Sequence, residues 1–169
     1  MTHSSIRVRA ATTGDVRQIQ AIRQSIEGSR VLLGRELVDL YEHVPEFLVA
    51  VDQNDFVVAA GALHVMWEDL AEVRSVVVAD HMRGHGVGKA LVVALLEQAQ
   101  RLGIKRVFCL TFEVEFFGRF GFVEISDVPV DQETYAEMVR SHDDGVAEFL
   151  DLARVKQNTL GNTRMLRTL

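Results

Sequence analysis

The spacing of hydrophobic positions changes several times along the chain, and each change marks a predicted element. IRVRA (6–10) alternates apolar and polar residues as a half-buried strand does; TTGDVRQIQAIRQSI then places Val16, Ile19, Ile22 and Ile26 at helical spacing. Thr12 followed by Asp15 resembles a capping box, so the helix is expected to start near Thr13. RVLLGRELVDLYEHV reads as a loop and then a short helix carrying Leu37, Leu40 and Tyr41, ended by Pro45. Two β-branched apolar runs follow, EFLVAVD and FVVAAGALHVM, with QND between them as a hairpin turn signal.

AEVRSVVV is a third strand after the acidic turn EDL. The longest periodic helix is predicted from about Gly86 to Leu102, with Val87, Ala90, Leu91, Ala94, Leu95 and Ala99 inward and Gly103 as its C-cap. RVFCLT reads as a short, continuously apolar strand of the fully buried kind. EVEFFGRF then predicts one or two helical turns, FVEI a strand, DQETYAEMVRS a helix and TRMLRTL a closing strand. The order is mixed α/β throughout, without repeats or linkers, so one domain over residues 1–169 is expected.

Composition narrows the class. The chain has 169 residues, 48% hydrophobic and 25% charged, as in a soluble globular protein, and no apolar run approaches the length of a membrane span. MTHSSIRVRA is too polar for a secretory signal, and the one cysteine, Cys109, cannot form an intrachain disulfide, so a cytoplasmic location is expected. A net charge of -6 argues against a general nucleic-acid binder. A homodimer is compatible with the sequence, which does not decide oligomeric state.

The segment with the most chemistry is RGHGVGKAL. Gly84, Gly86 and Gly88 lie where a strand hands over to a helix, and the free amides of a first helical turn favour a bound phosphate. A tight strand–helix turn with glycines for close packing is the alternative. Spacing excludes two familiar nucleotide loops: a Walker A loop needs glycine in place of Arg83 and Ser or Thr in place of Ala90. The dinucleotide fingerprint meets Lys89 or Leu91 where its last glycine or alanine belongs.

RxxGxG is satisfied by Arg83, Gly86 and Gly88 after a strand ending in VVV, and here the chain resembles the GNAT superfamily of acetyl-CoA-dependent N-acetyltransferases. The resemblance extends from IRVRAATTGDV to FFGRFGF. It implies an α/β (α+β) fold with a mixed, mostly antiparallel sheet, flanking helices, and a splay at the acetyl-CoA strand. It also implies that the amides of Arg83, Gly84, His85, Gly86, Val87, Gly88 and Lys89 grip the coenzyme A pyrophosphate. Val76, Val77 and Val78 would pair with the pantetheine arm, and the amide near Val77 would polarise the thioester carbonyl, as a pre-aimed N–H can.

Further segments resemble the short-form N-acetylglutamate synthases of arginine biosynthesis: LLGREL, AEVRSVVV, RVFCLTFEVEFFGRFGF and GNTRML. Longer members of that family carry an amino-acid-kinase domain with the arginine inhibitor site. At 169 residues this sequence is expected to have no room for one, so feedback at that site is not implied.

An α-amine with a pKa of about 7.7–8.0 is largely protonated at neutral pH, so attack on a thioester calls for a general base. Glu72 falls where the resembled family places its base glutamate, and burial is expected to raise its pKa; a solvated glutamate beside Glu68 and Asp69 is the plain alternative. A glutamate-like substrate calls for an arginine clamp, with Arg35, Arg74 and Arg164 as candidates and surface arginines as the alternative. Arg74 follows Glu72 by two residues, so both leave the same face of the strand.

Two positions depart from the resembled pattern. Phe117 stands at the cofactor where many GNAT enzymes have a tyrosine that protonates the leaving thiolate, so water, Thr111 or Tyr41 would have to serve. Gly161 replaces an arginine common in the tail, which keeps glutamine open beside glutamate. Cys109 reads as a core residue, the six histidines lack metal-ligand spacing, and no metal is expected. Phe112, Phe116, Phe117, Phe120 and Phe122 read as packing around the cofactor arm, and His85 as pointing to solvent.

The expected activity is acetyl transfer from acetyl-CoA to the α-amine of L-glutamate or L-glutamine. The partners expected are a small-molecule amino acid, with no nucleic acid and no membrane. An acetyltransferase for a protein N-terminus or another small amine is one alternative, and a non-catalytic acyl-CoA sensor is the other.

Overall fold

A computed structural model describes residues 5–27, 37–156 and 161–169. The strands are β1 (Arg7–Ala10), β2 (Phe47–Val51), β3 (Val57–Trp67), β4 (Leu70–Val78), β5 (Arg106–Thr111), β6 (Val123–Glu124) and β7 (Thr163–Thr168). The α-helices are α1 (Val16–Glu27), α2 (Leu37–Glu42), α3 (Val87–Arg101), α4 (Val114–Gly118), α5 (Gln132–Met138) and α6 (Asp144–Phe149). Hydrogen bonding orders the strands β1-β2-β3-β4-β5-β7-β6. The β1/β2, β2/β3, β5/β7 and β6/β7 pairs are antiparallel, and β4/β5 is parallel. The expected mixed, mostly antiparallel sheet with flanking helices is therefore present.

The chain divides into two compact units, residues 1–63 with 73–98, and 64–72 with 99–169. In the first, the apolar stripe of α1 (Val16, Ile19, Ile22, Ile26) packs with Leu40, Phe47, Val49, Val51 and Val77 into one core. Asp15 closes the 3-10 turn that leads into α1: its Oδ2 accepts Thr12 N–H at 2.7 Å and Thr12 Oγ1 at 3.1 Å, the capping interaction its spacing predicts. Arg9 closes on the same carboxylate at 2.8 and 3.0 Å, which holds the Asp15 carboxyl below the usual aspartate range. The β2–β3 turn is tied by Asp52 Oδ1, which accepts Asn54 N–H at 2.8 Å and Phe56 N–H at 3.0 Å.

Helix α3 buries Val87, Leu91, Val92, Leu95, Leu96 and Ala99. Ala90, expected inward, is exposed, because the buried stripe follows 87, 91, 95 with 92 and 96 beside it. Gly61 of β3 makes room for this helix, since a Cβ there would sit 3.0 Å from Leu95 and 3.3 Å from Leu91. At the other end of α3, Gly103 takes φ 82; Ile104 N–H reaches Ala99 O and Gly103 N–H reaches Gln100 O, each at 3.0 Å. This double bond pattern satisfies the last carbonyls and ends the helix.

In the second unit Leu70, Phe108, Met138, Val146, Phe149 and Leu150 form the core. The expected strand FVEI shortens to β6, although Ile125 N–H still bonds Arg164 O at 2.9 Å. Helix α6 has no counterpart among the predicted elements. At six residues it is too short to stand alone. Three things hold it: Asp143 Oδ1 accepting Val146 N–H at 3.0 Å, the burial of Val146 and Phe149, and an edge-to-face contact of Phe149 with Phe108 at 5.3 Å. Such an aromatic pair adds about 0.5–1.5 kcal/mol to area burial.

Candidate functional site

The first unit carries the strand and loop singled out in RGHGVGKAL. β4 runs through Val76, Val77 and Val78, with Val77 buried and the other two half-buried. Ser75, before them, takes φ 58, a left-handed conformation that interrupts the strand's alternation and that non-glycine residues adopt at a cost of about 1–2 kcal/mol. After a 3-10 turn at Asp80–Met82, residues 83–86 turn into α3. Gly84 and Gly86 both take φ 77. A Cβ at either would meet nothing within 4 Å, so backbone conformation, not close packing, favours glycine there.

Gly86 O accepts Ala90 N–H at 3.0 Å, so the helix's hydrogen-bonded ladder begins at the loop and its first-turn amides have no upstream carbonyl. Arg83, Gly84, His85, Gly86 and Lys89 are exposed, Gly88 is half-buried and Val87 is buried. His85 is exposed as expected, its Nδ1 lying 2.9 Å from Arg83 O. These features suit an anionic group seated on the loop amides.

The second unit carries an acidic cluster. Glu72 is 5% exposed, so the plain reading of a solvated glutamate does not hold. Its carboxyl lies against the backbone of Gly145 so closely that a Cβ at that glycine would overlap Glu72 Oε2, and Asp143 Oδ1 is 3.0 Å from the same point. His64 Nε2 of β3 lies 3.6 Å from Asp143 Oδ2. Cys109 is buried on β5, and burial together with the Glu72 charge pushes its thiol well up, as a core residue rather than a nucleophile requires. The parallel β4–β5 ladder places Glu72 opposite Phe108 as its last pair, while β5 continues to Thr111.

Glu148, which the sequence reading did not include, belongs to this cluster. It is 3% exposed, and burial, with the Glu72 charge next, pushes its carboxyl up to about 7. Sequence offered one signal: DDGVAEFL has an aspartate cap followed by Val146, Phe149 and Leu150 at helical spacing, with a glutamate inside that apolar stripe.

The other predicted residues fall as follows. Arg35 lies outside the described residues. Arg74 Nη2 lies 3.5 Å from Glu46 Oε2. Arg164 donates from Nε to Glu148 O at 3.0 Å, and from Nη2 to Asp127 O at 3.0 Å and to Phe149 O. It thus satisfies carbonyls at the C-terminal end of α6, where a cation is also favoured by the helix dipole. Thr111 is buried and its Oγ1 accepts Glu113 N–H at 2.8 Å, which leaves the hydroxyl proton free to donate.

Phe117 is buried and makes edge-to-face contacts with Phe116 at 5.1 Å and Phe122 at 5.5 Å. Gly161 takes φ 89 under the Phe112 ring, which a Cβ would approach to 3.0 Å, a local reason for glycine in place of a longer side chain. On α2, Asp39, Glu42 and His43 each bring one ligand-type atom within 4.8 Å of the others. His43 Nδ1, however, is engaged by Asp39 O at 2.8 Å and Oδ1 at 3.1 Å. Among the described residues no helix is long and apolar enough to cross a membrane.

With this geometry in place, known proteins give a consistent picture. A family model described as the acetyltransferase (GNAT) family matches residues 18–122. A protein of Mycobacterium tuberculosis named amino-acid acetyltransferase is 52% identical over 164 residues, 96% of this chain and 94% of its own. A solved structure from Mycobacterium tuberculosis, in complex with CoA and NLQ, superposes with a TM-score of 0.92 at 53% identity, over 96% of this chain and 99% of that one. N-acetylglutamate synthase from Neisseria gonorrhoeae, complexed with coenzyme A and N-acetyl-glutamate, superposes at a TM-score of 0.78. At 21% identity, over 99% of this chain and 36% of its own, that last likeness is one of fold.

Proposed function

The chain belongs to the GNAT acetyltransferase family, and from that premise we propose that it transfers the acetyl group of acetyl-CoA to the α-amine of L-glutamate or L-glutamine. The observation that carries this reading is the 52% identity, over nearly the full length of both chains, with a protein named amino-acid acetyltransferase.

The residues support a direct transfer without an acyl-enzyme. The loop amides of Arg83 to Lys89 bind the coenzyme A pyrophosphate, and the backbone of Val76–Val78 holds the pantetheine arm. Glu72 takes the proton from the substrate's ammonium group, directly or through water, and the freed amine attacks the thioester carbonyl carbon. The Val77 N–H stabilises the oxyanion of the tetrahedral intermediate. The attacking nitrogen gives its second proton to water, collapse re-forms the carbonyl and breaks the C–S bond, and the departing thiolate takes a proton from water, directly or relayed through the Thr111 hydroxyl, which is reprotonated in the same step. Phe117, with no hydroxyl, supplies packing at the cofactor and no proton.

Arg35 and Arg74 are the proposed clamp for substrate carboxylates. Arg164 contributes at most its Nη1 to that clamp, since Nε and Nη2 already serve backbone carbonyls. Glu46 Oε2, 3.5 Å from Arg74 Nη2, would share that guanidinium with the substrate carboxylate. The place of action is the cytoplasm, which a single buried free cysteine suits.

The test is free-thiol release from acetyl-CoA by the purified protein, with glutamate, glutamine, other amino acids and short peptides offered in parallel. Turnover is expected with glutamate or glutamine. Glu72→Gln should lose on the order of 10²–10⁴ in rate, the usual contribution of a general base, while still binding coenzyme A. Preference for peptides or unrelated amines would overturn the substrate, and coenzyme A binding without any turnover would indicate a sensor.

A further inference from the structure

We infer that Glu148 is a positioning residue for the same site: as a second enclosed carboxylate on the Glu72 side of α6, it makes Glu72 a stronger proton acceptor. The inference rests on the reading of Glu72 as the base.

The geometry comes from α6. Gly145 has its backbone against the Glu72 carboxyl, and Glu148 lies three residues further on, so the two positions share one side of the helix about 5–6 Å apart. Glu148 is 3% exposed, and its Oε1 is enclosed without a hydrogen-bond partner among the described residues. A carboxyl in that position serves no evident packing purpose, because leaving such an oxygen unsatisfied is costly. The groups whose charges act on it are Glu72 from β4, Asp144 of α6, Asp151 just past the helix, and Arg164 from β7. Around Glu72 itself stand Cys109 of β5 and Asp143 at the head of α6, the latter facing His64 of β3.

Two enclosed carboxylates whose charges act on one another do not ionise independently. While Glu148 is neutral, it places no charge beside Glu72. Once Glu148 also loses its proton, its negative charge raises the affinity of Glu72 for a proton, and Glu72 becomes the better base. Burial and the Glu72 charge place that second ionisation at about 7. The rate should therefore step up across neutrality, apart from any limb that belongs to the substrate amine.

The experiment is the pH–rate profile for wild type, Glu148→Gln and Glu72→Gln, with glutamate and glutamine as acceptors. Glu148→Gln keeps the shape of the side chain and removes the charge. It is expected to lose the inflection near pH 7 and to turn over several-fold to tenfold more slowly at pH 8. That is a fraction of the roughly 10²–10⁴ that a general base contributes. KM for acetyl-CoA should stay unchanged, and the amine limb, common to both proteins, should stay in place. A purely structural role would lower the rate equally at every pH and leave the inflection where it was, and that result overturns the inference.

Carboxyl carbon NMR of the glutamate-labelled protein gives a second readout that does not need an active variant. The Glu148 signal should titrate at lower pH in Glu72→Gln than in wild type, and an unmoved titration also overturns the inference. An undiminished rate in Glu72→Gln would instead sink the base reading. Loss of rate in that variant, with an unaltered Glu148→Gln profile, sinks the tuning role alone.

Discussion

Gly145 occupies the second position of α6 with its backbone against the Glu72 carboxyl, and its φ is one that any residue can adopt. On helix propensity alone, Gly145→Ala should stabilise the helix by up to about 1 kcal/mol. The added methyl, however, would occupy the space of Glu72 Oε2, the far end of a flexible side chain, so Glu72 would swing aside and the fold would remain. Displacing a reacting group by about an ångström can cost on the order of 10²-fold in rate. Gly145→Ala is therefore expected to keep its circular dichroism spectrum and coenzyme A affinity while kcat falls by about that factor. Unchanged kcat would mean that Glu72 has room to spare and that Gly145 does not fix it.

The glycine loop and helix α6 differ in how local their causes are. At Gly86, φ 77 is set by the turn itself, and since a Cβ there meets nothing, Gly86→Ala adds only the left-handed penalty of about 1–2 kcal/mol. If the loop relaxes to escape that strain, its amides move off the position proposed for the phosphate. Affinity for coenzyme A should then weaken about tenfold, since 1.4 kcal/mol is a factor of ten, while kcat at saturating acetyl-CoA is little altered; calorimetry and KM for acetyl-CoA check this. The same locality made the loop legible in sequence, because glycine spacing between an apolar strand and an amphipathic helix encodes the turn directly. Strand β5 was legible for a similar reason, its apolar run coinciding with Arg106–Thr111. Helix α6 was not: beyond its local aspartate cap, its stability comes from Phe108 of β5 and carbonyl bonds to Arg164, partners distant in sequence. Glu148 went unseen with it, as did the carbonyl partners of Arg164, whose charge and tail segment were visible in the sequence.

For the molecule as a whole, two buried carboxyls tie stability to pH with opposite signs. Asp15 is held below its ordinary value of 3.8 by its hydrogen bonds to Arg9, so the folded state binds fewer protons than the unfolded chain. Its contribution is complete above about pH 4 and is lost as pH falls through the folded value, so Asp15→Asn should weaken the protein at neutral pH and flatten its acid unfolding. Glu148 runs the other way. Its ordinary value of 4.5 rises to about 7 in the fold, so the folded state binds more protons between those limits, and stability falls as pH rises from about 4.5 to about 7 before levelling off. The decline should be on the order of 2–3 kcal/mol, at about 1.4 kcal/mol per unit of displacement with some allowance for relaxation. Denaturant unfolding of wild type and Glu148→Gln at half-unit steps across this range measures it: the wild-type curve should drop relative to the variant and then run parallel. A constant difference at every pH would mean that the Glu148 carboxyl titrates alike in the folded and unfolded chains. The range in which wild type loses stability is the one in which Glu148 ionisation is expected to strengthen Glu72 as a base, so the site would gain reactivity at the fold's expense.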